Sequence, residues 1–211
     1  MTIKTFIFNP IQENTYIIFD ESREAAIIDA GCFFDAEKQQ IVRFFEENNL
    51  TLKRVLNTHL HFDHQLGNKF LFDTYGISPE AGVEDEFLID SFAQQMKMFG
   101  FPPNVQAQAI GAYITDNQEI KIGESCLRAI HVPGHSPGSM AFYNEKDGVL
   151  FSGDVLFQHS IGRTDLEHGD YATLIHSIQQ KLLPLPDSTV VYSGHGPTTT
   201  IGNEKQFNPF L

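Results

Sequence analysis

An α/β layered fold (α+β in its ordering), with helices laid outside β-sheets, is what this sequence predicts, and three observations carry the prediction. Short runs rich in β-branched and aromatic residues recur in both halves of the chain. Segments with apolar residues at helical spacing lie between them. Each half follows one order, strands then a helix then a closing strand, with no sequence repeat of fixed period.

The elements read in order as follows. Thr2–Phe8 and Thr15–Phe19 are strand-like runs, broken by Asn9-Pro10, and Ala25–Asp29 is a third, ended by Ala30-Gly31. Asp35 is placed to cap a helix running to about Asn48, with Ile41, Phe44 and Phe45 on one stripe. Arg54–Asn57 reads as a short buried strand, followed by a histidine-rich turn and a helix from Leu66 to Thr74. Glu84–Phe99 places Leu88, Phe92, Met96 and Phe99 at helical spacing, and Phe101-Pro102-Pro103 stops it. That stripe suits core packing first, and a lid over a site second. Glu119–Ile122 with Ser125–Val132, and Met140–Tyr143 with Val149–Ser152, read as hairpins turning at Gly123-Glu124 and Asp147-Gly148. Asp170 is placed to cap a helix carrying Leu174, Ile175, Ile178 and Leu182, and Thr189–Ser193 is the last strand.

At 211 residues, 41% hydrophobic and 19% charged, the chain can bury a core without disulfides and is not a disordered polymer. No Pro/Gly/Ser-rich linker divides it, so residues 1–211 are expected to form one domain. Apolar runs fall short of the ~18 residues of a membrane span, and Met1–Pro10 lacks the apolar core of a secretory signal. A cytoplasmic protein is expected, with Cys32 and Cys126 as reduced, buried thiols. Fourteen basic against 27 acidic residues give a net charge of −13, which argues against nucleic-acid backbones and anionic membranes as partners. A small anionic substrate stays compatible, because a local field can oppose the net one. Nothing in the sequence addresses oligomeric state.

Chemistry concentrates in Thr58-His59-Leu60-His61-Phe62-Asp63-His64. If the backbone is extended there, His59 and His61 point the same way, while Asp63 and His64 lie in the turn. The spacing allows two ligand clusters a few ångströms apart, as a two-metal site needs. His135, Asp154 and His195 repeat one arrangement, a strand end with glycine beside the ligand-type residue: Pro133-Gly134-His135, Ser152-Gly153-Asp154 and Ser193-Gly194-His195. Singly these suit ordinary turns; with the early histidine cluster they point to convergence on one edge of the fold.

In order and spacing this set resembles the metallo-β-lactamase superfamily, across essentially the whole chain. Asn14-Thr15-Tyr16, Pro133–Ser139 and Gly162–Leu166 make it most similar to short, single-domain glyoxalase II-type (hydroxyacylglutathione hydrolase-like) hydrolases. The resemblance implies an αββα sandwich. It implies one divalent metal held by His59, His61 and His135, and a second by Asp63, His64 and His195. Asp154 and a water or hydroxide would bridge them, with Asp63 also handling a proton. Imidazole and carboxylate ligands suit zinc first, and iron or manganese as well. The implied reaction is attack of metal-activated hydroxide on the acyl carbonyl of a small thioester.

Arg163 has two readings, a fork for a substrate anion or a structural pair with Asp165 or Asp170. Asp29, where the family carries an early Asp, either hydrogen-bonds a liganding histidine or merely ends a strand. His159 and Leu66 depart from the short members, which carry small residues there; His159 either lines the pocket or is exposed. His131, His168 and His176 are expected in structural or surface roles. Long glyoxalase II enzymes hold glutathione with a C-terminal helical extension, and only residues 196–211 follow His195, so the thiol carrier stays open. A lactonase or β-lactamase on the same scaffold is the alternative, with the pair Asp63 and Asp154 fitting thioester and lactone branches better than antibiotic hydrolysis. A mononuclear-iron oxygenase resembling the persulfide dioxygenases is an alternative of another class, against which the full set Asp63, His64 and His195 speaks.

Overall fold

The computed structural model describes residues 1–102 and 104–211. The first sheet runs in sequence order: β1 (Thr2–Phe8), β2 (Glu13–Phe19), β3 (Glu24–Ile28), β4 (Thr51–Leu56), β5 (Pro79–Ala81) and β6 (Ala112–Tyr113). The second contains β7 (Glu119–Ile122), β8 (Ser125–His131), β9 (Met140–Asn144), β10 (Val149–Gly153), β13 (Val190–Ser193) and β14 (Thr199–Thr200) in the order β14-β13-β10-β9-β8-β7. A small hairpin of β11 (Leu156–Phe157) and β12 (Ser160–Ile161) stands apart. The helices are α1 (Asp35–Glu47), α2 (Phe62–Gln65), α3 (Asn68–Tyr75), α4 (Phe87–Met98), α5 (Tyr171–Ser177) and α6 (Ile201–Phe207).

Strand periodicity explains the layering, because alternate side chains leave a strand on opposite faces. Tyr16, Ile18, Ala26 and Ile28 meet Leu127, Ala129, Phe142 and Phe151 of the second sheet in one buried cluster. Their neighbours Ile17, Ala25 and Ile27 pack against Ile41 and Phe45 of α1 and Leu71 of α3. On the far side, Ala141, Tyr143, Leu150 and Val191 pack against Leu174 of α5 and Ile201 of α6. The result is the four-layer αββα sandwich that the resemblance implies. Strands buried on both faces read as continuous apolar runs, which is how Tyr16–Phe19 of β2 and Ala25–Ile28 of β3 appear in the sequence.

Strand direction places the site. β3 and β4 are parallel, joined through α1, so both end at one edge. β8, β10 and β13 also share a direction, since β9 is antiparallel to both β8 and β10 and β13 is parallel to β10. The two edges are stitched by Met140 N donating to Thr58 O at 2.7 Å, Asn14 N to Gly194 O at 2.7 Å, and a bridge between Glu13 and His195.

Several local expectations shift. Asp35 is the first helical residue of α1 rather than its cap; Glu37 closes that end, accepting from Phe33 N at 2.7 Å and Phe34 N at 3.0 Å. The helix expected over Leu66–Thr74 is α3, which starts two residues later, and the preceding histidine-rich turn contains a separate short helix, α2; between them Gly67 N donates to Ala30 O at 2.6 Å. Asp170 does cap α5, its carboxylate accepting from Thr173 N at 2.7 Å. The 84–99 segment divides into a 3-10 turn at Val83–Asp85 and α4. Leu88, Phe92 and Met96 are buried as core, while Met98 and Phe99 are exposed. Pro103, part of the expected helix stop, lies outside the described residues. Both cysteines are free, but only Cys32 is buried; Cys126, at the β7–β8 hairpin, is exposed, correcting the expectation for that thiol. Among the described residues no helix is long and apolar enough to cross a membrane.

Phe142 is fully buried between the sheets. Phe142→Ala is expected to lower unfolding stability by about 3–5 kcal/mol, measured as a shift of the urea midpoint at unchanged slope.

Candidate metal centre

All seven ligand-type side chains named from the sequence meet at the shared edge. His59 and His61 flank Leu60 on the extended segment after β4; Asp63 and His64 sit in α2, whose N-cap is His61. His135 comes from the β8–β9 connection, Asp154 follows β10, and His195 follows β13. His59, His61 and His135 form one group of donor atoms, and Asp63, His64 and His195 a second, each within 4.8 Å.

In the first group, His135 Nε2 lies 2.9 Å from His61 Nδ1 and 3.2 Å from His59 Nε2. Three imidazole nitrogens so arranged aim their lone pairs at one point. In the second, His195 Nε2 lies 3.2 Å from Asp63 Oδ2, and His64 Nε2 lies 3.7 Å from the same oxygen. Asp154 stands between: Oδ1 is 3.5 Å from His64 Nε2, and Oδ2 is 3.6 Å from His195 Nε2 and 3.9 Å from His135 Nε2. Gly194 permits this approach, since a Cβ there would lie 2.2 Å from Asp154 Oδ1.

The opposite ring nitrogens are anchored. His64 Nδ1 is 3.0 Å from Asp29 Oδ2, and the Thr58 hydroxyl donates to the same oxygen at 2.6 Å while lying 3.1 Å from His59 Nδ1. Asp29 Oδ1 accepts from Thr58 N at 2.7 Å. Asp29 therefore steadies imidazoles of both groups, one directly and one through Thr58. His135 Nδ1 is 2.8 Å from Arg163 O, and His195 Nδ1 is 3.2 Å from Gln12 O. With protons on these Nδ1 atoms, the Nε2 lone pairs face the centre.

Charge is unevenly shared. Burial holds His61 neutral, pushed down to about 3, and His135 beside it adds to the effect. Burial and the neighbouring imidazoles also lower His59. His64 goes the other way: burial opposes its charge, but Asp154, Asp63 and Asp29 outweigh burial and raise it well above its ordinary value. Burial likewise works against the charge of Asp154 and Asp63, yet the imidazoles hold both carboxyls below their usual range. His64 Nε2 and Asp154 Oδ1 are nonetheless buried without a hydrogen-bond partner. Orphaned buried polar atoms cost about 1–3 kcal/mol each. A cation at the centre removes that cost, and the imidazole and carboxylate donor set fits divalent zinc, iron or manganese.

The remaining named residues fall out as follows. Arg163 lines the cleft over the cluster, together with Leu88, Met98, Phe99 and Leu166. Its guanidinium forks onto Asp165 at 2.6 and 2.8 Å, the structural pairing among its two readings. His159 is exposed, with Nε2 3.0 Å from Asn203 Nδ2, and does not line the cleft. His131 bonds to Pro137 O at 2.8 Å, His168 packs on the ring of Phe87, and His176 is exposed.

Sequence reasoning missed the support beneath the cluster. Asn57 Nδ2 donates to His64 O at 2.8 Å and Gln65 Nε2 to Leu60 O at 2.5 Å, pinning α2. Glu13 lies fully buried under the cluster, accepting from Thr15 Oγ1 at 2.7 Å, with its carboxyl raised by burial. Glu13 heads β2 beside the polar Asn14 and Thr15, and nothing in that run signals its burial.

Comparison with known proteins agrees with this geometry. The chain is 41% identical to hydroxyacylglutathione hydrolase GloC of Haemophilus influenzae, with 100% of this chain and 98% of the relative covered. The crystal structure of BLEG-1, a B3 metallo-beta-lactamase, superposes with a TM-score of 0.89 at 40% identity, covering 100% of this chain and 99% of that one. TTHA1623, solved in a di-iron-bound form, gives a TM-score of 0.86 at 32% identity with 100% of both chains covered. The family profile of the metallo-beta-lactamase superfamily matches residues 8–195, a span that holds every residue of the cluster, and the chain belongs to that superfamily.

Proposed function

We propose that this protein is a dinuclear metal-dependent hydrolase of a small thioester, glyoxalase II-like. The observation that carries the reading is Asp154, set between two complete ligand groups, its Oδ2 3.9 Å from His135 Nε2 of one and 3.6 Å from His195 Nε2 of the other. His59, His61 and His135 would hold one divalent ion, and Asp63, His64 and His195 the other. Zinc is the first choice, with iron supported by the di-iron form of TTHA1623. When bound, such ions supply an activated water at neutral pH and polarise an acyl carbonyl.

The protein's own residues supply the rest. The anchored imidazoles need no rearrangement as charge develops, which keeps the field of the site preorganised. Asp63, which also meets His195 Nε2 at 3.2 Å, would orient the attacking water and accept its proton. Water adds to the acyl carbon, the C–S bond breaks, and the products are a carboxylic acid and a thiol. A thiolate departs without prior protonation, so the cluster suffices. Ile11, Leu88, Met98 and Phe99 offer the acyl or thiol portion an apolar wall. The likeness to GloC supports the thioester reading, and free Cys32 and Cys126 accord with a reducing, cytoplasmic setting.

A second reading, β-lactam hydrolysis, is favoured by the likeness to BLEG-1. A turnover panel of metal-analysed protein separates the two. A hydroxyacyl thioester, followed by release of free thiol, is expected to exceed a lactone and a β-lactam at least tenfold in kcat/KM. Preference for the β-lactam reverses the assignment, and oxygen uptake with a glutathione persulfide at one iron per chain replaces hydrolysis with oxygenation.

Asp154→Asn is expected to lower bound metal from two ions toward one and to cut kcat/KM by at least about 100-fold, at or beyond the upper end of what outer partners of metal ligands show. Near-normal activity with two ions bound refutes the bridging role. Arg163→Ala discriminates its two readings. An anion-holding role predicts a larger rise in KM for anionic than for neutral thioesters; equal changes leave it only its pairing with Asp165.

A further inference from the structure

The strand-end residues account for the ligand set but not for Asp85. Asp85, wholly buried, closes the 3-10 turn that precedes α4. Its Oδ2 accepts from Leu60 N at 3.1 Å and from Ser136 Oγ at 2.7 Å, and its Oδ1 accepts from Gly138 N at 2.6 Å. Leu60 lies between His59 and His61, and Ser136 follows His135. One side chain therefore ties the segment carrying two imidazoles of the first group to the loop carrying the third. The loop is shaped to receive it: a Cβ on Gly138 would lie 2.7 Å from Asp85 Cγ, and Ser139 Oγ braces Ser136 Oγ at 2.7 Å.

We propose that Asp85 is a positioning residue for the His59/His61/His135 group, setting the affinity of that group for a divalent cation separately from the Asp63/His64/His195 group. The inference rests on the metallohydrolase reading only in taking the first group to bind a metal. The physical reason is geometric. Three imidazoles bind one ion well only if their lone pairs stay converged, and outer partners of metal ligands typically carry about 10- to 100-fold in affinity. Loss of the Asp85 tie lets the His135 loop drift against the His59–His61 segment, whereas His64, held by Asp29, is untouched.

The test is zinc titration of the metal-free full-length protein against a chromophoric chelator, with the thermal midpoint of each metal-free variant recorded. Asp85→Asn keeps one acceptor oxygen for Leu60 and Ser136 but turns an amide N–H toward Gly138 N–H. It is expected to weaken one zinc site by about 10- to 100-fold while the other changes less than twofold. The loss should persist in an Asp63→Ala background, where the second group is disabled. Ser136→Ala, a milder change that serves if Asp85→Asn does not fold, is expected to weaken the same site about threefold. Unchanged affinities, or equal loss at both sites together with a fall in the metal-free midpoint, overturn the proposal. Wild-type protein that binds two zinc ions and hydrolyses no acyl compound defeats the proposed function while leaving Asp85 tested; wild-type protein that binds none defeats both.

Discussion

Where β3 ends, the Asp29 carboxylate accepts from Thr58 N and Thr58 Oγ1 and meets His64 Nδ1, at φ 52°, a left-handed conformation that Asp tolerates better than most residues. The geometry of the centre depends on that contact. An imidazole presents one lone pair in one direction only if its other nitrogen is satisfied elsewhere. Asp29 does this for His64 and, through Thr58, for His59, one ring from each group. It can do so because the inter-sheet core holds β3 and β4 parallel, with their ends at one level. Packing of Ile28, Leu56 and Phe151 is thus linked to the direction of nitrogen lone pairs.

The electrostatic character follows from the same crowding. Asp29, Asp63 and Asp154 are drawn together by a fold that carries net charge −13, which would be unfavourable without cationic partners. The imidazoles divide the task unequally. His59 and His61 are held neutral by burial and by the neighbouring imidazoles, while His64 faces three carboxylates and is driven toward its charged form. The acidic half thus stabilises positive charge on its own ring, and the three-histidine half offers bare lone pairs.

Much of this was legible in the sequence because ligand chemistry is written in residue types that have few other uses at strand ends. The His59–His64 run and the glycines beside His135, Asp154 and His195 identify both the residues and their common edge. The long strands and α1 were legible from apolar periodicity. What escaped has physical causes. β5, β6, β11, β12 and β14 are two or three residues long and exist through pairing rather than propensity. Asp85 acts through contacts distant in sequence, and Asn57 and Gln65 act through nearby main-chain oxygens; neither kind carries a sequence signature. Arg163 left two readings because a guanidinium beside an Asp two residues on suits both, and only geometry shows the fork onto Asp165. The 84–99 segment mixed two roles on one helix, core at Leu88, Phe92 and Met96 and cleft rim at Met98 and Phe99.

The hydrogen bond between His135 and Arg163 runs to the main-chain carbonyl, not to the guanidinium. The ligand His135 therefore reads only the backbone at that position, while the Arg163 side chain faces the cleft beside Asp165. Exchange of the side chain alters what the cleft meets without disturbing how His135 is aimed.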